Sequence, residues 1–181
     1  MLKKWKLLKK KIVFNQPHAV VEDWLFRLPN GNTKHFNMKG GKDFVMVVGI
    51  TAQHHVVLIQ QFYVNVEKKL RTLVAGYCDS GEQPAAAAGR ELLEETGYRA
   101  KRLVSLGTSI KGKYTTGTVH HFLALGVKRI AKQQLEEAED ITVTTMSLAA
   151  FKKLIVHHKI ADVFAETCAR RALDYIDYHG I

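Results

Sequence analysis

The chain has 181 residues, 46% hydrophobic and 24% charged, the composition of a globular protein long enough to bury a sizeable core. No stretch approaches the ~20 apolar residues that span a bilayer, and lysines interrupt the apolar residues of the start, MLKKWKLLKKKIVF, which argues against a secretory signal. The net charge of +10 gathers at lysines 3, 4, 6, 9, 10 and 11 without a stripe of alternating basic and aromatic residues, so it reads as a solubilising surface that also favours phosphate-bearing ligands.

In chain order, residues 6–36 predict strands around the turn LPNGNTKH, where Pro29, Asn30 and Gly31 are the breaking signals. A β-rich N-terminal part over residues 1–43 is expected, with Trp5, Trp24 and Phe26 as core or interface aromatics and NMKGGKD, residues 37–43, as a linker. Residues 44–181 then form the main domain. Apolar runs at 45–50 and 56–59 predict a hairpin-like pair of buried strands; VNVEKKL is a polar loop, and RTLVAG a third strand. That strand runs into residues 76–98, GYCDSGEQPAAAAGRELLEETGY.

Further on, RLVSLGTSI and GTVHHFLALGV predict two strands separated by KGKYT. Adjacent residues of a strand point to opposite faces, so His120 and His121 do not make a paired metal site, and the pairs His54/His55 and His157/His158 likewise read as structural. KQQLEEAEDITV is an acidic loop leading to a strand at 141–144. Two helical segments close the chain, the second with Phe164, Cys168, Ala172 and Ile176 on one core-facing stripe. Cys78 and Cys168 have neither metal-ligand nor disulfide-framework spacing, which fits a reducing, cytoplasmic compartment.

The stretch 76–98 holds the chemistry. Pro84 suits the first turn of a helix and Gly97 the left-handed position after its end, leaving a helix of about four turns. Glu91, Glu94 and Glu95 are three and four residues apart and gather along one side, with Glu82 at the helix entrance. Like charges so crowded are destabilising, and Arg90 offsets only part of this. A hard divalent cation reverses the sign, because oxygen donors are what Mg²⁺ and Mn²⁺ prefer.

The pattern Gly, five residues, Glu, seven residues, Arg-Glu-Leu, one residue, Glu-Glu, one residue, Gly resembles a complete Nudix box. Gly76, Glu82, Arg90, Glu91, Leu92, Glu94, Glu95 and Gly97 match, while Tyr98 stands where an aliphatic is more usual. From Trp5 to about Asp174 the order of elements is similar to the ADP-ribose and nucleotide-sugar pyrophosphatase branch of that family. The resemblance implies an α/β fold, an α/β/α sandwich with a mixed sheet, preceded by the small β-rich part, which in this branch packs on a partner in a homodimer. It implies hydrolysis of a nucleoside diphosphate linked to a sugar or similar group, giving a nucleoside monophosphate and a sugar phosphate. The alternatives are other nucleotides (a dinucleoside polyphosphate, a nucleoside triphosphate or an RNA 5′ end) or a nucleotide sensor without turnover.

By the same resemblance Glu91 and Glu95 bind Mg²⁺ (or Mn²⁺), with Glu94, the Ala75 carbonyl and Glu82 assisting and Arg90 orienting the carboxylates. Glu137 in the acidic loop is the expected base, while Glu139 either takes that role or ligates a metal, with Glu136 as a substitute. Relatives of this branch often read Arg-Gln-Tyr-Arg where this chain has Gln60-Gln61-Phe62-Tyr63, and Glu-Leu-Pro-Ala-Gly where it has Thr72-Leu73-Val74-Ala75-Gly76; their Ser-Pro-Gly loop is replaced by SIKGKYTTG. Gln60, Tyr63, Lys111 and Tyr114, with Lys113, are the candidate substrate contacts. Partners expected are a nucleotide or nucleotide-sugar substrate and a second copy of the chain, with no membrane; nucleic acid is not expected but stays open as an alternative.

Overall fold

A computed structural model describes residues 4–16, 19–160 and 162–181; Lys3 of the lysine run and Ala161 at the head of the last helical segment lie outside them. The chain divides into two compact units, one comprising the residues up to Asp43 with Ile110–Thr118, the other Phe44–Ser109 with Val119–Ile181.

The first unit is an antiparallel sheet in the order β1 (Lys6–Gln16), β2 (Ala19–Arg27), β3 (Thr33–Gly40). Residues 37–40, expected in a linker, belong to β3, because Asn37 and Met38 pair with Asp23 and Glu22. A ladder partner outweighs the weak strand propensity of Asn, Lys and Gly there. Trp5, Phe26 and Phe36 pack edge-on or tilted with centroids about 6 Å apart (5.8–6.1 Å), and Phe36 stacks on Tyr114. Lys10 lies 3.7 Å over the Trp24 ring, and Lys34 and Lys113 lie over Phe36 and Tyr114. Of these pairs only Lys10 with Trp24 forms across strands; Lys34 and Phe36 share β3, and Lys113 and Tyr114 are adjacent in the chain. The unit holds 12 of the chain's 27 lysines and arginines and 3 of its 17 acidic residues, hence nine of the net ten positive charges.

The second unit contains β4 (Phe44–Ile50), β5 (His55–Tyr63), β6 (Lys68–Thr72), β7 (Val74–Tyr77), α1 (Pro84–Thr96), β8 (Tyr98–Arg99), β9 (Arg102–Ile110), β10 (Thr118–Leu125), β11 (Lys128–Arg129), β12 (Ile141–Ser147), α2 (Leu148–Val156) and α3 (Val163–His179). The principal sheet runs β12-β5-β4-β10-β9, with β10 parallel to β4 and β5 antiparallel to both β4 and β12. The expected hairpin of β4 and β5 pairs at only two positions, Gly49 with Val57 and Ile50 with Val56. Beyond them the strands part: β6 pairs with β5 over Lys68–Thr72, and β7 pairs with β4 through Val47–Val74 and Val45–Gly76. The polar loop therefore ends at Glu67, and the single strand expected at RTLVAG is two strands broken at Leu73.

Alternation along the strands divides the core. Val45, Val47, Val57 and Ile59 face α1 with Ala87, Ala88 and Leu92, whereas Met46, Val48, Leu58 and Leu123 face α2 and α3 with Phe151, Ile155, Cys168, Ala172 and Ile176. The result is an α/β/α sandwich around a mixed sheet, as expected. Alanines at 87 and 88 leave no side-chain bulk between α1 and the sheet, so the helix lies close to β7.

Candidate active site

Helix α1 begins with Pro84 in its first turn and ends at Gly97, whose left-handed φ of 74° turns the chain while its N–H donates to the Leu93 carbonyl at 2.7 Å. Its buried rows are 87-91-95 and 88-92-96, so Glu91 (9% exposed) and Glu95 (2% exposed) continue the line of Ala87 toward β7. Glu94 lies on the neighbouring row with Arg90, its side chain 37% exposed. The three helix carboxylates thus split into a buried pair and one outer member, instead of sharing one side.

Gly76 makes room for this pair. A Cβ there would fall inside the contact radii of the Glu91 carboxyl carbon and both its oxygens, although the Gly76 backbone is in no special conformation. Ala75, next in β7, donates its N–H to Glu95 Oε2 at 3.1 Å. The Ala75 carbonyl leaves the strand on the same edge as its N–H, because both groups of one residue share an edge in an antiparallel strand.

Arg90 organises the outer side. Its Nε and Nη2 donate to the two oxygens of Glu82 at 3.0 and 2.9 Å, Nη1 donates to Glu91 Oε1 at 2.9 Å and Glu94 Oε2 at 3.0 Å, and Nη2 also reaches the Tyr77 carbonyl at 3.1 Å. The Tyr77 carbonyl, a backbone partner with no sequence signal, ties the guanidinium to the strand. Arg90 and the Asp79 N–H, 3.0 Å from Oε2, hold the Glu82 carboxyl below its ordinary pKa. Glu82 is thereby committed to Arg90 and to the turn that precedes the helix.

Burial pushes the Glu91 carboxyl up to about 7, opposed by Arg90 and reinforced by the charges of Glu94 and Glu139. Burial pushes Glu95 further, to about 9, with the Ala75 N–H opposing and Glu91, Glu139 and Glu94 adding. Two buried carboxyls that resist ionisation, four oxygens in all, a cleared space at Gly76 and an outward carbonyl are the donor chemistry of a hard divalent cation. A nearby positive charge would remove the penalty on ionising them. Among the described residues no three carboxylate, imidazole or thiol side chains already converge as ligands; Arg90 holds Glu82, Glu91 and Glu94 in ion pairs.

The acidic loop between β11 and β12 presents Glu139, half-buried, with its Oε2 accepting from the Glu136 N–H at 2.9 Å. Glu139 is the loop carboxylate whose charge acts on both Glu91 and Glu95; Glu136 and Glu137 are exposed on the same loop. Tyr63 is half-buried, and burial raises its hydroxyl pKa, with the charges of Asp162 and Glu95 acting in the same direction, which sets it in the field of the site. Gln60 alternates to the opposite face of β5, in line with Val56 and Leu58, so these two candidates do not act together. Lys111 and Tyr114 belong to the first unit, where Lys111 Nζ donates to the Lys42 carbonyl at 2.6 Å and Tyr114 stacks on Phe36. His121 is fully buried, with Nε2 3.0 Å from Ser109 Oγ, and His120 faces the other way. Both cysteines are buried, and the stripe of Cys168, Ala172 and Ile176 is core.

A family profile, the NUDIX domain, matches residues 42–171. An ADP-ribose pyrophosphatase of Bacillus subtilis (strain 168) is 32% identical over 148 residues, covering 78% of this chain and 77% of the relative. A methanol dehydrogenase activator of Bacillus methanolicus is 30% identical over 139 residues, covering 75% and 74%. A solved structure of an ADP compounds hydrolase superposes with a TM-score of 0.86 over 99% of this chain and 98% of that one; at 22% identity the likeness is one of fold.

Proposed function

The chain belongs to the Nudix hydrolase family, and on that premise we propose that it hydrolyses the pyrophosphate bond of ADP-ribose or a related nucleotide sugar, releasing a nucleoside monophosphate and a sugar phosphate. The observation that carries the reading is the buried pair Glu91 and Glu95 beneath Gly76, with Glu139 across from both. Burying two carboxyls that resist ionisation costs stability, and the bonds they receive from Arg90 and the Ala75 N–H offset that cost only in part, whereas a phosphate-hydrolysing centre requires such donors.

Glu91, Glu95 and the Ala75 carbonyl would hold the divalent cation, here taken as Mg²⁺, with Glu94 at its margin. When bound, the ion neutralises phosphate oxygens and lowers the pKa of coordinated water. The protein's own part is to orient and to move a proton. Arg90, fixed by Glu82 and the Tyr77 carbonyl, sets the rotamers of Glu91 and Glu94 and stays charged throughout. Glu139 takes the proton of the attacking water; Glu137, exposed on the same loop, is the less supported base. Tyr63 stands at the substrate side.

The exposed strand β1, with no strand along its outer edge among the described residues, supports a homodimer in which the first unit meets a second copy. Two unbridged cysteines support a cytoplasmic location, and among the described residues no helix is long and apolar enough to cross a membrane.

The replacements at Gln60, Tyr63, Thr72 and Val74 bear on which nucleotide is preferred, and the relative named as an activator favours a panel over a single substrate. ADP-ribose, nucleotide sugars, dinucleoside polyphosphates and capped RNA, each with Mg²⁺ or Mn²⁺, test the proposal. Nucleoside monophosphate released fastest from ADP-ribose or a nucleotide sugar is expected; release from none of them removes the reading.

A further inference from the structure

The last carbonyls of a helix have no partner within it, and those of α1 are taken up by the loop that carries the acidic residues. The N–H groups of Ile130 and Ala131 both donate to the Gly97 carbonyl at 2.9 and 3.2 Å, and the Gln134 N–H donates to the Glu94 carbonyl at 2.8 Å. Gln133 adds its side chain. Its Nε2 donates to the Glu95 carbonyl at 2.7 Å and to the Ile141 carbonyl at 3.2 Å.

One amide nitrogen therefore joins the end of the carboxylate-bearing helix to the first residue of β12. Residues 134–140 are held as a closed loop whose two ends meet at that nitrogen. Within the loop the bonds are local, Glu139 N–H to the Glu136 carbonyl at 3.0 Å and Glu136 N–H to Glu139 Oε2; outside it Asp140 pairs with Lys69 at 2.7 Å. Gln133 is half-buried in a segment otherwise almost wholly exposed. Side-chain amides so placed are not used to fill a core; their value lies in the donors.

We propose that Gln133 is a positioning residue for hydrolysis, holding the loop of Glu139 in register with Glu91 and Glu95. This rests on the function proposed above, since it presumes that the loop carboxylate acts on substrate. The core is not involved: the β12 to β5 ladder and the backbone bonds of Ile130, Ala131 and Gln134 all remain when the carboxamide is removed. What is lost is the closure of the loop, and a base held in place only on average spends less time in the reactive geometry.

The test compares Gln133→Met, similar in length but without donors, with Gln134→Met, on the same loop but outside the two side-chain bonds. Both are made in the full chain and assayed with Mg²⁺ and the best substrate of the panel. Gln133→Met is expected to lower kcat at least tenfold while KM changes less than twofold, and amides 134–140 are expected to exchange hydrogen at least tenfold faster without a matching change in α1. Gln134→Met is expected to leave both unchanged. Equal kcat in the wild type and Gln133→Met, or an equal loss in Gln134→Met, overturns the proposal. If the wild type hydrolyses nothing, the functional reading fails instead, and the exchange measurement alone decides whether Gln133 closes the loop; unchanged exchange overturns it.

Discussion

The Glu91 carboxylate lies where the side chain of residue 76 would be, so Gly76 and Glu91 share one volume. Gly76 is needed for what it leaves out, not for its backbone freedom. Gly76→Ala is expected to push Glu91 from its place and reduce turnover roughly 100-fold, the scale of a misplacement of about 1 Å. A double-mutant cycle checks the cause: Glu91→Ala should recover the thermal stability lost in Gly76→Ala without recovering activity. Additive losses would contradict the shared volume.

Glu95→Gln separates the metal from the fold. The amide oxygen can still accept from the Ala75 N–H, and a neutral side chain suits a 2% exposed position, so the melting temperature should hold or rise. Mg²⁺-dependent hydrolysis should fall by at least about 100-fold, as expected for a lost ligand in view of the losses that supporting residues alone produce. Near-normal turnover by the folded variant would remove Glu95 from the site.

The same carboxyl makes the metal-free protein sensitive to alkali. Folding raises the Glu95 pKa to about 9, so the native state binds its proton more tightly than the unfolded chain. That contribution to stability is complete below the unfolded value near 4.5 and is lost as pH rises toward 9, at up to about 1.4 kcal/mol per pH unit. Denaturant titrations with a chelator from pH 5 to 9 should show this decline, and Glu95→Gln should flatten it. Because metal binding expels the proton, stabilisation by Mg²⁺ should grow over the same range.

His121 gives the opposite slope at low pH. Burial, with Arg171 and His120, lowers its pKa to about 4, and Nδ1 has no hydrogen-bond partner. The native state keeps the ring neutral while the unfolded chain takes up a proton below about 6.5, so stability is full above that value and falls toward pH 4. His121→Gln, titrated between pH 7 and 4, should lose this slope.

Gly97 closes the helix and clears the loop at once: its φ is 74°, and a Cβ would run into the Ala131 carbonyl. Gly97→Ala should destabilise by at least ~1–2 kcal/mol from the backbone conformation alone, read by chemical denaturation. It should also speed exchange of the Ile130 and Ala131 amides, which Gly97 holds.

Much of the site is legible where chemistry and spacing are local. The Gly76 to Gly97 pattern gives the helix with both its ends and the acidic residues, because Pro84, Gly97 and the i, i+4 carboxylates act within a few turns. The split of Glu91 and Glu95 from Glu94 is not legible, since it depends on which helix row meets β7. Nor is the separation of Gln60 from Tyr63 until the alternation of β5 is anchored by its neighbours. Residues 37–40 and 68–70 were hidden as strands because pairing partners, not propensity, make them so. Gln133 carries no motif at all: its role exists only once Glu95 and Ile141, thirty-eight and eight residues away, are brought together.

The uneven share of charge between the two units has a practical side. The isoelectric point near 9.6 describes the first unit far more than the one that holds the carboxylate site, where acidic and basic residues nearly balance. Retention on a cation exchanger, salting behaviour and adsorption to anionic glass or resin are therefore governed chiefly by the first unit, and neutralising lysines of β1 alters how the protein is handled.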